Sequence, residues 1–251
     1  MSSMDRRHFD RYDLTETGFT FIPRKDLHLH SELERAWISL AAGWDNLPQD
    51  EYSSLVNVSR FRRYDRMLYC STTGAFKRMP HDVFIQNSTS NRLYGGVARQ
   101  FAQMHDSSFE NQFLRWLIAF DCRQFSDSFG FTAATWVVGI HQIRVSARNG
   151  APGQPTPEGV HQDGSYFVGI HLVRRSNIEG GLSEVYGKNR ELIAQIALIE
   201  PLDSMIIDDR AVLHRVTGID AIDENAPAMR DVLILTYDPS GLTRGTDLAR
   251  M

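Results

Sequence analysis

The chain has 251 residues, 42% of them apolar and 23% charged, with a net charge of −4. This is the composition of an ordinary soluble globular protein, long enough for one large domain, and its acidity argues against a general affinity for nucleic acid or anionic membranes. Cys70 and Cys122 are the only cysteines; they exclude a disulfide scaffold and read as buried thiols of a reducing compartment. No apolar secretory core follows Met1, and no apolar run reaches the length of a membrane span, so a cytoplasmic protein is expected.

Residues 1 to 16 are polar and predict a loose end. Phe19-Thr20-Phe21-Ile22 reads as a short strand stopped by Pro23. Ser31 has the look of an N-cap, with Glu34 three residues on. The helix it opens runs to Gly43 and puts Leu33, Ala36, Trp37 and Leu40 on one face. Residues 59 to 70 read as a strand with a basic run from Arg60 to Arg66. That run reads as a solvated strand face, although one of its arginines could reach a small anionic substrate. Gly74 and Pro80 mark turns, and Gly95-Gly96 is expected to precede a short helix holding Val97, Phe101 and Met104. Phe109 to Phe125 gives the clearest helical spacing, with Phe113, Trp116, Leu117 and Phe120 facing a core.

From Thr132 the texture becomes β-type. Trp136 to Val145 is a long strand, and a proline-rich loop after Asn149 delivers the chain to His161. Shorter strands follow over 166–173, 182–186, 192–199, 205–207, 212–216 and 232–237. Helices lead and strands follow, an α+β chain around an antiparallel sandwich or barrel. One domain is expected over 1–251, with 1–131 as helical and strand support and lid, and 132–240 as the β core.

Val160-His161-Gln162-Asp163-Gly164 is the stretch around which the chemistry gathers. On an extended strand His161 and Asp163 point to one face. His214, 51 residues after Asp163, supplies the third member of a two-histidine, one-carboxylate set. Such a set binds one face of Fe(II) and leaves positions open for a 2-oxoacid and dioxygen. A bare His-x-Asp occurs by chance in many proteins; the loop-to-strand junction, Gly164 and the later histidine strengthen it here. Arg230, 16 residues after His214, opens the last strand and suits the far carboxylate of 2-oxoglutarate, because a guanidinium makes two parallel hydrogen bonds to a carboxylate. Arg215 competes but points away from the metal face.

The segments Glu158 to Gly164, Ile170 to Gly181, Pro201-Leu202-Asp203, Asp208 to Thr217 and Arg230 to Leu233 resemble, as a set, the bacterial Fe(II)/2-oxoglutarate-dependent dioxygenases that hydroxylate free L-amino acids, of the isoleucine dioxygenase type. The resemblance covers most of 132–240. It implies a double-stranded β-helix of the jelly-roll, cupin-like kind with flanking N-terminal helices. It implies Fe(II) on His161, Asp163 and His214, 2-oxoglutarate on Arg230, O2 as cosubstrate, and ascorbate as a stimulant. Val232 departs from the wider superfamily, where a Ser or Thr stands two residues after the arginine.

A free amino acid buries an ammonium and a carboxylate, each needing a counter-charge. Glu158 is the candidate for the ammonium and Arg144 for the carboxylate; ordinary loop and strand charges are the bland alternative. His171 shares the parity of Asp163, but a fourth ligand would close the site, so it reads as a hydrogen-bonded core histidine. His141, His28 and His30 have no partner pattern and read as structural. Asp208 and Asp209 shape a turn and could orient a ligand histidine. The function expected is hydroxylation of a free, aliphatic L-amino acid with release of succinate and CO2. A carrier-tethered residue or natural-product intermediate, a cupin-like metal-binding protein and a nucleic-acid demethylase are the alternatives. A small-molecule substrate is the expected partner, with neither nucleic acid nor membrane, and a homo-oligomer is compatible.

Overall fold

The computed structural model describes residues 13–240, apart from 57, 89, 90, 92, 131–133 and 149. The expected loose end therefore lies, up to residue 12, outside the described residues, as do positions 132 and 149. The first half of the chain forms helix α1 (Leu14–Thr17), strand β1 (Phe19–Ile22), α2 (Ser31–Ala41), β2 (Arg60–Cys70), β3 (Ala75–Arg78), α3 (Asp106–Phe109) and α4 (Gln112–Phe129). The second half is all strand: β4 (Thr135–Ala147), β5 (Phe167–Ser176), β6 (Ile178–Gly180), β7 (Ser183–Tyr186), β8 (Leu192–Ile196), β9 (Ser204–Asp208), β10 (Leu213–Val216), β11 (Ile219–Ala221) and β12 (Ala228–Pro239).

Seven strands make the large antiparallel sheet, in the order β1-β9-β5-β12-β4-β2-β3. A three-stranded sheet, β10-β7-β8, and a two-stranded one, β11-β6, complete the strand set. Between large and small sheets, Val168, Ile170 and Leu172 of β5 pack with Val185, Ala194 and Ile196. Helices α2 and α4 cover the other face of the large sheet through Leu40, Phe113, Leu117, Leu233 and Leu235. This is the two-layer double-stranded β-helix with flanking helices expected from the sequence. The large sheet nevertheless draws β1, β2 and β3 from before residue 131.

Side-chain alternation on β12 shows how the sheet serves both layers. Arg230, Val232, Ile234 and Thr236 line an internal cavity, whereas Leu233, Leu235 and Tyr237 pack under the helices, as a period of two requires. A buried polar network ties α4 to this outer face. Asp121 accepts a hydrogen bond from the Tyr237 hydroxyl at 2.7 Å and faces His171 Nε2 at 3.0 Å, while His171 Nδ1 meets Ser204 Oγ at 2.8 Å. His171 is thus the hydrogen-bonded core residue expected. It lies on the helix side of β5, because the turn after Asp163 breaks the parity expected from the spacing of the two residues.

Three local expectations change. Ser31 is the first residue of α2 rather than its cap; His30 holds the cap position without a side-chain hydrogen bond. The segment after Gly96 is extended, not helical: Arg99 pairs with Phe84, and Ala102 with Arg63. Val97 is exposed while Phe101 and Met104 are buried, so the three never share one helix face, and tertiary strand pairing claims the backbone instead. The long helix starts at Gln112, where Asn111 accepts from the Phe113 and Leu114 amides at 2.8 and 3.4 Å. It continues to Phe129 and stops at Gly130, whose φ is +60°. Cys122 is buried but Cys70 is partly exposed. Among the described residues no helix is long and apolar enough to cross a membrane.

Candidate metal centre and its cavity

His161 and His214 face each other across an isolated antiparallel bridge. Each backbone N–H donates to the other residue's carbonyl, at 3.0 and 2.9 Å. Directly opposed residues in such a pair project to the same side, and the two imidazole centroids are 4.5 Å apart. Asp163, two residues on, returns to that side: its carboxylate is 3.3 Å from His214 Nε2 and 3.9 Å from His161 Nε2. One donor atom from each of the three lies within 4.8 Å of the others. His161 Nδ1 is 2.9 Å from the Gly159 carbonyl, so Nδ1 carries the hydrogen and Nε2 turns its lone pair to the centre. Burial resists ionisation of Asp163, yet its hydrogen bond with His214 and the nearby imidazoles hold the carboxyl well below its usual range. Burial pulls His214 down, but Asp163 more than offsets this and raises it.

Asp209 holds the ligand loop in shape. Its carboxylate accepts from the backbone amides of Asp163, Gly164 and Ser165, at 3.0, 2.6 and 3.1 Å. The turn at Gly164 needs a φ of +83°, which glycine adopts without penalty. Asp209 Oδ1 also lies 3.8 Å from His214 Nδ1. Burial and the nearby Asp163 charge push Asp209 up to about 6. Asp209, not Asp208, stands beside a ligand histidine, without a hydrogen bond to it, while Asp208 binds Arg210 at 2.9 Å.

The centre opens into a cavity that is partly open to solvent. Arg230 lines it and is 3% exposed; its Nε and Nη2 have no partner among the described residues. Burial and the charge of Arg175 pull Arg230 down to about 10, still a cation at neutral pH. Glu158 also lines the cavity. Its Oε1 is 3.6 Å from His161 Nε2 and its Oε2 is buried without a partner among the described residues.

Arg144 is not in the cavity. Its Nε and Nη2 both donate to Asp231 at 2.7 Å. On β4 the inward set is His141, Ile143 and Val145, so residue 144 has the opposite parity and pairs with Asp231 on the helix face. The expectation that it binds a substrate carboxylate is corrected on that ground. The basic run of β2 is not a solvated face either. Arg60 and Arg62 are 5% and 7% exposed and line the cavity, while Arg63 donates to the Gln103 carbonyl and Arg66 to Asp82. The run is therefore divided between the cavity and partners outside it.

Sequence reasoning assigned no site role to His141, Gln86, Asn91 or Arg99, although the stretch from Asn91 to Arg99 also resembles the dioxygenase family. His141 is 2% exposed and stacks on Tyr64 at 4.6 Å. Its Nδ1 accepts from Arg62 at 2.6 Å. The parity of β4 could have found it; the other three lie outside the named strands and helices, where no periodic signal marks them. Burial, then Arg62, hold His141 well below its ordinary 6.5. The folded protein keeps it neutral, whereas the unfolded chain takes up the proton near that pH. Its contribution to stability is therefore complete above about pH 6.5 and falls as the pH drops. In His141→Gln, urea unfolding should lose up to about 1.4 kcal/mol per pH unit of slope between pH 6.5 and 5. An unchanged slope would assign the acid sensitivity to another group.

The family model described as 2OG-Fe dioxygenase matches residues 41–236. The chain belongs to this family. L-isoleucine-4-hydroxylase of Bacillus thuringiensis is 28% identical over 211 residues, 83% of this chain and 83% of that protein. 3(1)-hydroxy-L-isoleucine 4-dioxygenase of Pantoea ananatis (strain AJ13355) is 24% identical over 201 residues, 79% of each. A bsmA homolog from Methylobium petroleophilum PM1 shares the fold with a TM-score of 0.79 and 25% identity, over 92% of each chain. As a 2OG-Fe dioxygenase the chain is an oxygenase that uses Fe(II), 2-oxoglutarate and O2. The residues fit that requirement: two imidazoles and a carboxylate converge with room beside them, and an arginine with unpaired nitrogens points into the same space.

Proposed function

We propose that this dioxygenase hydroxylates the side chain of a free, aliphatic L-amino acid while 2-oxoglutarate is converted to succinate and CO2. The observation that carries the reading is one cavity holding the His161–Asp163–His214 triad, the unpaired Arg230 and the half-paired Glu158 carboxylate. Two relatives named for isoleucine and hydroxyisoleucine substrates support it.

In this reading His161 Nε2, Asp163 and His214 Nε2 hold Fe(II), and Arg230 holds the far carboxylate of 2-oxoglutarate. The bound metal supplies the activation of O2 that is coupled to decarboxylation of the cosubstrate. The chain's own part is to bind, orient and exclude water. Ile143, Ile170, Val232 and Ile234 line the cavity and give it an apolar wall suited to an aliphatic side chain. Glu158 takes the substrate ammonium. Holding one C–H bond in place is worth more here than acid–base chemistry, so no general base is required. The protein is a single domain in which the part before the β core serves as support and lid, and the setting is the cytoplasm.

The test is one reaction of purified protein with Fe(II), ascorbate, 2-oxoglutarate and air, offered the twenty free L-amino acids together. Mass spectrometry follows succinate and any amino acid that gains one oxygen atom, with His161→Ala alongside. An oxygenated amino acid absent from the variant reaction is the expected result. Succinate with no oxygenated amino acid would move the substrate to a tethered residue or another small molecule.

A further inference from the structure

The cavity holds more positive charge than 2-oxoglutarate can use. Arg60 is neutralised by Asp50 at 2.7 Å. Arg230 is the cosubstrate's anchor in the reading above. Arg62 and Arg99 remain. Arg62 has no carboxylate partner among the described residues: Nη2 meets only the His141 ring, and Nε meets nothing. Arg99 donates to the neutral amide oxygen of Gln86 at 2.6 Å, and its Nε is also buried and unpaired. A buried cation left without an anion is costly, and such groups are ordinarily paired.

The surroundings fix where these guanidinium groups sit. The Arg62 Cζ is 4.1 Å from the Phe101 ring centroid and 5.0 Å from that of Phe84. Arg99 lies 4.5 Å from the Tyr94 ring and 5.1 Å from that of Phe84. Aromatic faces hold a guanidinium without neutralising it, and leave its edge for an anion. The sheet register separates this pair from Arg230. Arg62 stands opposite Ile143 on β4, and Ile143 opposite Val232 on β12. Two strand spacings, about 10 Å, therefore divide the backbone at Arg62 from that at Val232, two residues past Arg230. One small diacid does not need both sites.

Arg99 also connects to the carboxylate proposed for the ammonium, and Arg62 lines the same cavity. Asn91 Nδ2 reaches Gln86 Oε1 at 3.1 Å and Glu158 Oε1 at 3.4 Å, so Arg99, Gln86, Asn91 and Glu158 form one chain of polar contacts. Gln86 Nε2 reaches Asp163 Oδ1 at 3.4 Å, joining the chain to the triad. A cationic edge and an anionic oxygen meet in one pocket beside the metal centre. An α-amino acid carries those two charges on neighbouring bonds of one carbon.

We propose that Arg62, steadied by His141 and flanked by Arg99, binds the α-carboxylate of the substrate while Glu158 takes its ammonium. This rests on the amino-acid reading above and deepens it. The site selects free α-amino acids, because a peptidyl or carrier-bound residue presents an uncharged amide or thioester where the guanidinium needs an anion.

The test compares the twenty free L-amino acids with their twenty α-carboxamides, for wild type, Arg62→Met and Arg62→Lys, with Fe(II), 2-oxoglutarate and air. Wild type should favour the acid over its amide by about 100-fold or more in kcat/KM. Arg62→Met should lose about 100-fold on the acid, mainly through KM, and its preference should shrink to within about 5-fold. The KM for 2-oxoglutarate should stay within about 3-fold, which a general loss of structure would not allow. Should Arg62→Met fail to fold, Arg62→Lys carries the test: a point charge without the fork should cut the preference by about 10-fold. Full acid preference in the folded variants, or none in wild type, overturns the carboxylate site and leaves the oxygenase standing. Oxygenation of neither set by wild type removes the amino-acid reading, and the site with it.

Discussion

Replacing Arg230 by methionine should raise the KM for 2-oxoglutarate by about 100-fold or more. Arg230 is 3% exposed and two of its nitrogens lack partners among the described residues, so a carboxylate arriving there gains hydrogen bonds with little competition from bulk water. Truncating one member of a buried charge pair costs about 2–5 kcal/mol, and each 1.36 kcal/mol is tenfold. Burial and Arg175 pull the arginine down only to about 10, so it stays charged across the working range and the effect should not vary with pH below 9. The arginine stem packs under the turn at Gly181, where an added Cβ would come within 3.4 Å of Arg230 Cδ. Methionine keeps that packing, so the fold should survive. The check is steady-state kinetics with 2-oxoglutarate and with 2-oxopentanoate, which lacks the far carboxylate. Wild type should prefer the former strongly and Arg230→Met should not. Equal KM values in the two proteins would place the cosubstrate's far end on another cation, with Arg175, opposite Arg230 in the ladder, the next to examine.

The second large effect is expected at Asp209. Three consecutive backbone amides, at 163, 164 and 165, converge on its carboxylate, and the residue is 1% exposed. Asp209→Ala leaves three part-buried donors without their partner, each costing up to about 1–3 kcal/mol where water does not replace it. It also removes the carboxylate nearest His214 Nδ1. Residues that orient metal ligands typically contribute 10- to 100-fold in affinity, so the Fe(II) dissociation constant should rise by about that factor. A total loss near 3 kcal/mol would lower the Tm by about 6–12 °C in a chain of this size. Metal titration and thermal unfolding measure the two effects separately. A stable variant with weak metal binding would assign Asp209 to the ligand loop alone, and an unchanged affinity would show that the loop holds itself.

Much of the centre was legible because it depends on short-range geometry. A period of two sets His161 and Asp163 on one side wherever the backbone is extended. His214 was within reach of the reading because a strand follows the Asp208-Asp209 turn, and Arg230 because it opens a strand of unmistakable β texture. The covering helices follow from the spacing of Phe113, Leu117 and their neighbours. The extended segment after Gly96 was not legible, since its backbone bonds go to Phe84 and Arg63, partners that no local pattern names.

The same limit governs the polar residues of the cavity. Arg62 and Arg144 are both arginines on long strands, and nothing local says which of them points inward. Register decides it: β4 lies between β2 and β12, and its odd positions, with the even positions of β2 and β12, share the cavity face. A shift of one residue between β2 and β4 would put both arginines on one face. By itself the sequence determined the strand periodicity and singled out His161, Asp163, His214 and Arg230 as candidates, through spacing along one chain taken together with the family resemblance. Only the tertiary structure decided which charges meet in the cavity, because pairing between strands distant in sequence sets the face that each side chain presents.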